Sequence, residues 1–135
     1  HDDDATARAF TGEWLHTGHL ATVDDEGYLR IVDRLKDMYI SGGENVYPAE
    51  VEGVLFEHAA VAECAIIGVP HARWGEVGKA FVVLRPGATA GVPQLQQHLG
   101  ERLAKYKVPL EFELVDALPR TGSGKVLKAR LRAGA

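Results

Sequence analysis

The stretch ISGGENVYPAEVE, residues 40–52, decides how the larger part of this 135-residue chain is expected to fold. Gly42 and Gly43 stand side by side, and adjacent glycines permit backbone conformations that other residues avoid, so the pair predicts a hinge. Pro48 suits the first turn of a helix, and Glu50 places negative charge near the positive end of that helix. The stretch therefore predicts a hinge followed directly by a helix start.

Downstream of that helix start, the apolar pattern changes repeatedly between strand and helix character. Residues 61–69 and 79–84 form β-rich runs, and residues 92–104 carry leucines at helical spacing. Residues 111–115 alternate like a half-exposed strand, and residues 126–131 suit a final helix. This order predicts an α+β fold, a small three-stranded-sheet domain with helices packed on it.

Upstream of the stretch, residues 20–23 and 28–32 predict two strands joined by the acidic turn 24–27. A lone hairpin is marginally stable in water, so this one is expected to pack against the rest of the chain or against a larger body. It could also pair with another copy, giving a homo-oligomer through an exposed apolar face. The expected domains are residues 1–35, the hairpin and hinge approach, and residues 36–135.

Composition indicates one globular domain or slightly more, because 46% of the residues are hydrophobic and the chain is long enough to bury a core. The apolar runs are too short to span a membrane, and the acidic start is unlike a signal peptide, so a cytoplasmic protein is expected. Cys64 is the single cysteine and is interpreted as core packing, which excludes a disulfide framework. His16 and His19 lack further ligands nearby, so no metal site is expected.

The net charge of −4 conceals an asymmetry along the chain. Residues 1–63 hold 14 acids against 4 bases, whereas residues 64–135 hold 5 acids against 11 bases. Basic residues clustered near the C-terminus suit a compact polyanion such as a nucleotide or coenzyme better than duplex DNA, so no nucleic-acid partner is expected. A solvated basic helix would give the same pattern. The clustered cations are Arg120, Lys125, Lys128, Arg130 and Arg132.

The loop PRTGSGKVLK, residues 119–128, brings glycines and the cation Lys125 to the start of the expected last helix. Because glycines allow close backbone approach and a helix start offers free N–H groups, Lys125 is predicted to meet a phosphate or carboxylate. A Walker phosphate loop is excluded, since Pro119 and Val126 stand where it needs Gly and Ser or Thr; Leu127 likewise breaks a dinucleotide fingerprint. On its own the loop also fits an ordinary surface turn.

Four ordered motifs together with the Lys125 loop resemble the C-terminal part of adenylate-forming enzymes. That superfamily contains AMP-forming acyl-CoA synthetases, peptide-synthetase adenylation domains and luciferase. The motifs are WLHTG at 14–18, GYL at 27–29, VDR at 32–34 and the opening stretch at 40–52. The resemblance implies that residues 1–35 close an N-terminal adenylation domain and that residues 36–135 form a C-terminal lid.

The resemblance implies two reactions. A carboxylic acid and ATP first form an acyl-adenylate and pyrophosphate, and the lid then rotates so that coenzyme A attacks the adenylate. The cofactors it implies are ATP, with Mg supplied mainly by the absent domain, and coenzyme A. By resemblance Lys125 is the catalytic lysine of the first step, where one well-aimed donor is worth roughly 3 to 4 kcal/mol.

Further roles follow from the same resemblance. Arg34 matches the arginine that contacts the nucleotide ribose, and Lys36 matches the hinge residue; the alternative for both is a surface ion pair with Asp33 or Asp37. Six residues are expected to contact coenzyme A. Three of them line the tunnel for its pantetheine arm, and the other three lie near its adenine and phosphate groups. The six residues are Ser41, Gly42, Gly43, Trp74, Tyr106 and Lys107. The alternative for the two aromatic residues is core packing.

His19 departs from the family's pattern, in which an aspartate accepts hydrogen bonds from both ribose hydroxyls of the nucleotide. A neutral imidazole offers one acceptor and a charged one offers none. Losing a charged acceptor typically costs about 1.5 to 3 kcal/mol, so the sequence predicts weakened ATP binding unless a neighbour compensates. A divergent or degenerate member of the family is therefore an open alternative.

The large N-terminal domain of the family, with its phosphate loop and acyl pocket, is not in this chain. The chain is therefore expected to be an inactive fragment of a longer acid–CoA ligase, of the fatty-acid type, and a natural stand-alone lid is the alternative. The continuation Gly-Lys-Val-Leu favours CoA ligation over carrier-protein loading. The competing class is a non-catalytic binding module derived from the lid.

Overall fold

A computed structural model of the protein describes residues 2–135, and the chain divides into one unit that ends at Lys36 and a second unit, Asp37–Ala135. The first unit consists of a short helix and two small antiparallel hairpins. Its elements are α1 (Asp3–Ala9), β1 (Phe10–Thr11), β2 (Trp14–Leu15), β3 (His19–Val23) and β4 (Leu29–Arg34).

The predicted hairpin is confirmed as β3 and β4, which pair antiparallel. The acidic turn holds the two strands together, because the Asp24 carboxylate accepts the N–H groups of Glu26 and Tyr28 at 3.0 and 2.8 Å. Gly27 has φ +88°, a conformation that favours glycine. Among the described residues up to Lys36, none is buried, so this unit has no core of its own.

The second unit is a mixed sheet with helices on both faces. Its elements are β5 (Tyr39–Ser41), β6 (Glu44–Val46), α2 (Pro48–Phe56), β7 (Val61–His71), β8 (Gly75–Leu84), α3 (Val92–Gly100), a 3₁₀ turn (Lys105–Lys107), β9 (Glu111–Leu114) and α4 (Lys128–Ala133). The strand order is β6-β5-β8-β7, and β9 pairs parallel with β8. The predicted α+β class is confirmed.

The sheet has five strands, two more than the pattern predicts. The added strands are β5 and β6, which are three residues long and therefore too short to show a clear alternation. Gly42 and Gly43 form the tight turn between them, with φ values of +60° and +90°. Positive φ at both central residues suits the twist of a two-residue hairpin, so the glycine pair is a strand-to-strand turn rather than an open linker.

The strand β7 lies between two apolar layers, because its alternate side chains point to opposite faces. Cys64 and Ile66 join the layer that contains α2 and α3, whereas Ala65 and Ile67 join the layer that contains Leu131 of α4. The interpretation of Cys64 as core packing is confirmed.

Two helices differ from their predicted bounds. The pattern over residues 92–104 ends as a helix at Gly100, since glycine is a poor helix former. The last helix begins at Lys128 instead of residue 126, because Val126 forms a β-bridge with Arg120. The described helices are all too short to cross a membrane.

Candidate functional site

A groove of about 350 Å³ opens in the second unit beside the start of β8. It brings together residues from the β5–β6 turn, the segment before β8, β8 itself and the 3₁₀ turn. The lining residues are Ser41, Gly42, Glu44, Trp74, Val77, Gly78, Lys105, Tyr106, Val108 and Leu110. Four of the six residues predicted to serve coenzyme A, namely Ser41, Gly42, Trp74 and Tyr106, therefore share one groove.

One wall of the groove is formed where Gly42 approaches Trp74. The Gly42 N–H donates a hydrogen bond to the Trp74 carbonyl oxygen at 2.9 Å. A Cβ atom at position 42 would lie 3.1 Å from Cε3 of the indole, and φ there is +60°. The positive φ favours glycine here, and any larger residue would also have to displace the Trp74 ring slightly.

Trp74 and Tyr106 present aromatic surface to the groove. Their exposed fractions are 41% and 40%, so the alternative that they only pack in the core is wrong. The Arg73 guanidinium carbon lies 4.5 Å from the Trp74 ring centroid, a cation–π distance. Lys105 lines the groove beside Tyr106 and was missed by the sequence analysis; its position next to Tyr106 was the available signal.

Lys107 is held away from the groove by Glu50. Its Nζ atom lies 2.7 and 2.8 Å from the two carboxylate oxygens of Glu50 on α2. This hydrogen bond, with the negative charge of Glu50, raises the pKa of Lys107 despite partial burial. Lys107 does not line the groove, and neither does Gly43, which lies in the adjoining turn.

The Lys125 loop is a tight turn between two paired residues, Arg120 and Val126. The Thr121 N–H bonds to the Lys125 carbonyl at 2.8 Å, and the Leu127 N–H bonds to the Pro119 carbonyl at 2.7 Å. Because the main chain is committed to these bonds, the expectation that Lys125 stands at a helix start is wrong. Its side chain is exposed, and no described residue pairs with its ammonium group.

The basic cluster near the C-terminus is largely neutralised by acids from the first half of the chain. Lys128 lies 2.7 Å from Glu52, Arg132 lies 2.8 Å from Asp37, and Arg120 lies 2.6 Å from Glu63. Glu52 also accepts the Ile66 N–H at 2.8 Å. Lys128, Arg132 and Arg120 thus already have carboxylate partners, and the expectation that the cluster meets a polyanion stays a prediction.

A second groove, of about 560 Å³, lies in the first unit. His19 and Arg34 are direct partners across β3 and β4, and the Leu35 N–H bonds to the Gly18 carbonyl at 2.8 Å. The lining residues are Thr17, Gly18, His19, Arg34, Leu35 and Lys36. The residues predicted for the nucleotide and the hinge thus share one groove, and among its lining residues none carries a carboxylate.

Within residues 2–135, no group of three or more His, Cys, Asp or Glu side chains is arranged to hold a metal ion. Apart from Glu44 and the apolar side chains of the first groove, the two grooves offer aromatic rings, cations and backbone groups, which suit an organic anion.

Comparison with known proteins places this geometry in a family. The family model described as the AMP-binding enzyme C-terminal domain matches residues 50–125. The chain belongs to this family, the C-terminal domain of adenylate-forming enzymes, so the resemblance drawn from the motifs is confirmed.

Three relatives carry the names of enzymes that join an acid to coenzyme A. The chain is similar to a feruloyl-CoA synthase from Amycolatopsis sp. (55% identity; 96% of this chain, 26% of the relative) and to a long-chain-fatty-acid–CoA ligase from Mycobacterium tuberculosis (48%; 96% and 25%). Among solved structures it resembles o-succinylbenzoate CoA synthetase from Bacillus subtilis in complex with an acyl-adenylate intermediate, with TM-score 0.87, 45% identity, and coverage of 93% and 26%. The chain spans about a quarter of these proteins.

Proposed function

We propose that this chain is the C-terminal lid of an ATP-dependent, AMP-forming carboxylic acid–CoA ligase. The observation that carries the proposal is the meeting of Ser41, Gly42, Trp74 and Tyr106 around one groove, in a chain of this family. In the first step, a substrate carboxylate oxygen attacks the α-phosphorus of ATP, and the bond to pyrophosphate breaks. In the second, the thiolate of coenzyme A attacks the acyl carbon, and AMP leaves.

Lys125 acts in the first step of the proposed reaction. Its ammonium group is exposed and has no partner among residues 2–135, so it is available to an anion. Pyrophosphate departure moves negative charge onto oxygen, and a positioned cation stabilises that charge more in the transition state than in the ground state. Arg34 and His19 hold the nucleotide, and Lys36 is the residue about which the lid rotates.

The groove at Trp74 serves the second step. Gly42 leaves the space that a Cβ atom would fill, which suits the thin pantetheine arm, while Trp74 and Tyr106 stack on the adenine. Lys105 lines the groove and Arg73 lies over the Trp74 ring, so both are placed to contact phosphate groups near the aromatic rings. Lys107 would first have to leave Glu50, so its contribution is secondary.

The rest of the ligase supplies the acyl pocket, most contacts to ATP and the Mg ion. It also covers the hairpin, whose apolar side chains Val23, Tyr28, Leu29 and Ile31 are exposed. The acid is proposed to be a fatty acid, and the enzyme is proposed to act in the cytoplasm. A second copy of the chain is the alternative cover for the hairpin, and light scattering with and without the larger domain distinguishes the two.

The proposal is tested by joining the chain to a family N-terminal domain and measuring acid-dependent ATP–pyrophosphate exchange, with a panel of fatty and aromatic acids. Lys125→Ala is expected to slow exchange by roughly 10² to 10³-fold, as for one lost electrostatic donor. The matched control is Arg130→Ala, an exposed cation on α4, which is expected to change little. Absence of exchange with every acid would overturn the proposal.

The same assay weighs the second candidate, a non-catalytic binding module, which His19 favours. His19→Asp restores a charged acceptor and is expected to tighten ATP binding by about 10-fold or more. Detectable exchange in the unaltered chain supports the ligase. Exchange only after His19→Asp supports a degenerate module that has lost its chemistry.

A further inference from the structure

Glu76 on β8 holds the main chain of β5. Its Oε2 atom accepts the Ile40 N–H at 3.1 Å, although the two residues are far apart in sequence. The paired register between β5 and β8 consists of one residue pair, Ser41 and Gly75. Ile40 is paired with Asn45 of β6, and on its β8 side the Glu76 carboxylate takes the place of a strand partner. Hydrogen bonds to a charged acceptor are stronger than neutral ones.

The absence of a side chain at Gly68 leaves space for the Glu76 carboxylate. A Cβ atom on Gly68 of β7 would lie 3.1 Å from Glu76 Oε1 and 2.5 Å from Tyr39 Cβ, so glycine is needed there. Tyr39 is 2% exposed and packs over the same glycine. Burial raises the pKa of Tyr39, and the negative charge of Glu76 raises it further. The side chains of Tyr39 and Glu76 thus both lie against Gly68 of β7.

This arrangement determines where one wall of the coenzyme groove stands. Ile40 directly precedes Ser41 and Gly42, which line the groove, whereas Glu76 does not line it. Two bonds fix this wall, Gly42 N–H to the Trp74 carbonyl and Ile40 N–H to Glu76. We propose that Glu76 is a positioning residue that acts through β5 to hold the Ser41–Gly42 wall against Trp74, so that the groove accepts coenzyme A.

The first test measures the bond directly in the full 135-residue chain. Amide hydrogen exchange at Ile40 is expected to be about 10-fold faster or more in Glu76→Ala, because a hydrogen bond to a charged group is lost. Glu76→Gln keeps an acceptor oxygen and is expected to exchange at a rate close to that of the unaltered chain. Glu111→Ala, an exposed acid on β9, is the matched control. An unchanged Ile40 rate in Glu76→Ala would overturn the proposal.

The second test measures the consequence and rests on the proposed function. In the joined ligase, Glu76→Ala is expected to raise the KM for coenzyme A by about 10-fold and to leave ATP–pyrophosphate exchange unchanged, with Glu76→Gln restoring most of the affinity. General destabilisation would lower both reactions, because Lys125 belongs to the same unit. Equal losses in the two reactions, or an unchanged KM, would therefore overturn the positioning role.

Failure of the proposed function is distinguishable from failure of the positioning role, because coenzyme A binding and amide exchange at Ile40 are measured separately. If coenzyme A leaves the Trp74 indole signal unchanged in the unaltered chain and in each variant, the assignment of the groove to coenzyme A is overturned. The Ile40 exchange rates still decide separately whether Glu76 holds β5.

Discussion

The hairpin unit and the sheet unit differ in where their apolar side chains lie. In the sheet unit, Leu55 and Ile66 are fully buried between helices and strands. In the hairpin unit, Trp14 is 81% exposed and Leu29 is 72% exposed. Because burial of apolar area is the main favourable term in folding, the sheet unit has its own source of stability, whereas the hairpin must obtain one from a partner surface.

The test with the largest expected effect on stability replaces one leucine by alanine in each unit. Leu55→Ala is expected to lower the free energy of unfolding by about 2 to 5 kcal/mol, because it leaves a cavity in the core. The matched Leu29→Ala is expected to change it by less than about 0.5 kcal/mol in the chain alone. Urea unfolding measures both. Similar losses at the two positions would show that the hairpin does have a core.

A second test addresses a partly buried polar contact of the sheet unit, between Glu52 and Lys128. Glu52→Ala removes the acceptor for Lys128 and for the Ile66 N–H, and it is expected to cost about 1.5 to 3 kcal/mol. Glu57→Ala, at the exposed end of α2, serves as the control and should be near neutral. If both variants unfold at the same urea concentration, the contacts of Glu52 contribute nothing to stability.

Raising the pH gives a third and smaller effect, confined to the sheet unit. Burial, reinforced by the charge of Glu52, raises the pKa of the Cys64 thiol from 9.0 to about 12, against a smaller opposing effect of Lys128. Above pH 9 the unfolded chain releases a proton that the folded chain retains, so this contribution is complete below pH 9 and lost as pH rises toward 12.

The loss begins near pH 9 and steepens toward about 1.4 kcal/mol per pH unit above it, so it totals about 1.4 kcal/mol between roughly pH 8 and 10, where urea unfolding measures it. Tyr39 and Lys107, whose raised pKa values start from ordinary values of 10.0 and 10.5, add losses of the same sign only near the upper end of this window. The Cys64→Ala chain should show a flatter pH dependence across the same interval. An identical slope in both chains would assign the loss to other groups.

The smallest effect compares two tyrosine hydroxyls. The Tyr39 hydroxyl is buried and makes no hydrogen bond with the described residues, so Tyr39→Phe is expected to raise the free energy of unfolding by up to about 1 kcal/mol. Tyr28→Phe in the exposed hairpin should be neutral. Thermal or urea unfolding measures both, and a clear loss of stability in Tyr39→Phe would reveal a partner for its hydroxyl.

Local pattern predicted much of the fold. The hairpin, the helix start at Pro48 and the three longer strands follow from alternation, acidic turn residues and proline, all of which act over a few neighbouring residues. The short strands β5 and β6 were missed because three residues carry too little periodicity. The start of α4 was misplaced because Val126 pairs with Arg120, six residues away, and a pattern read over residues 126–131 does not contain that partner.

The candidate site was predictable residue by residue but not as an arrangement. The motifs pointed to Ser41, Gly42, Trp74 and Tyr106 separately, and only the sheet brings them to one groove. Lys105 and Lys107 flank the same aromatic residue and look equivalent in sequence. Glu50, 57 residues from Lys107, distinguishes them by pairing with the latter alone.

The sequence by itself determined the family, the α+β class and the identity of the chemical groups, because motif order, periodicity and residue type are properties of the chain. The tertiary structure alone decided which cations are free, which aromatic rings are exposed and what holds β5 in place. Those properties depend on contacts between distant residues, such as Arg132 with Asp37 and Ile40 with Glu76. Such contacts form only when the sheet and helices have packed.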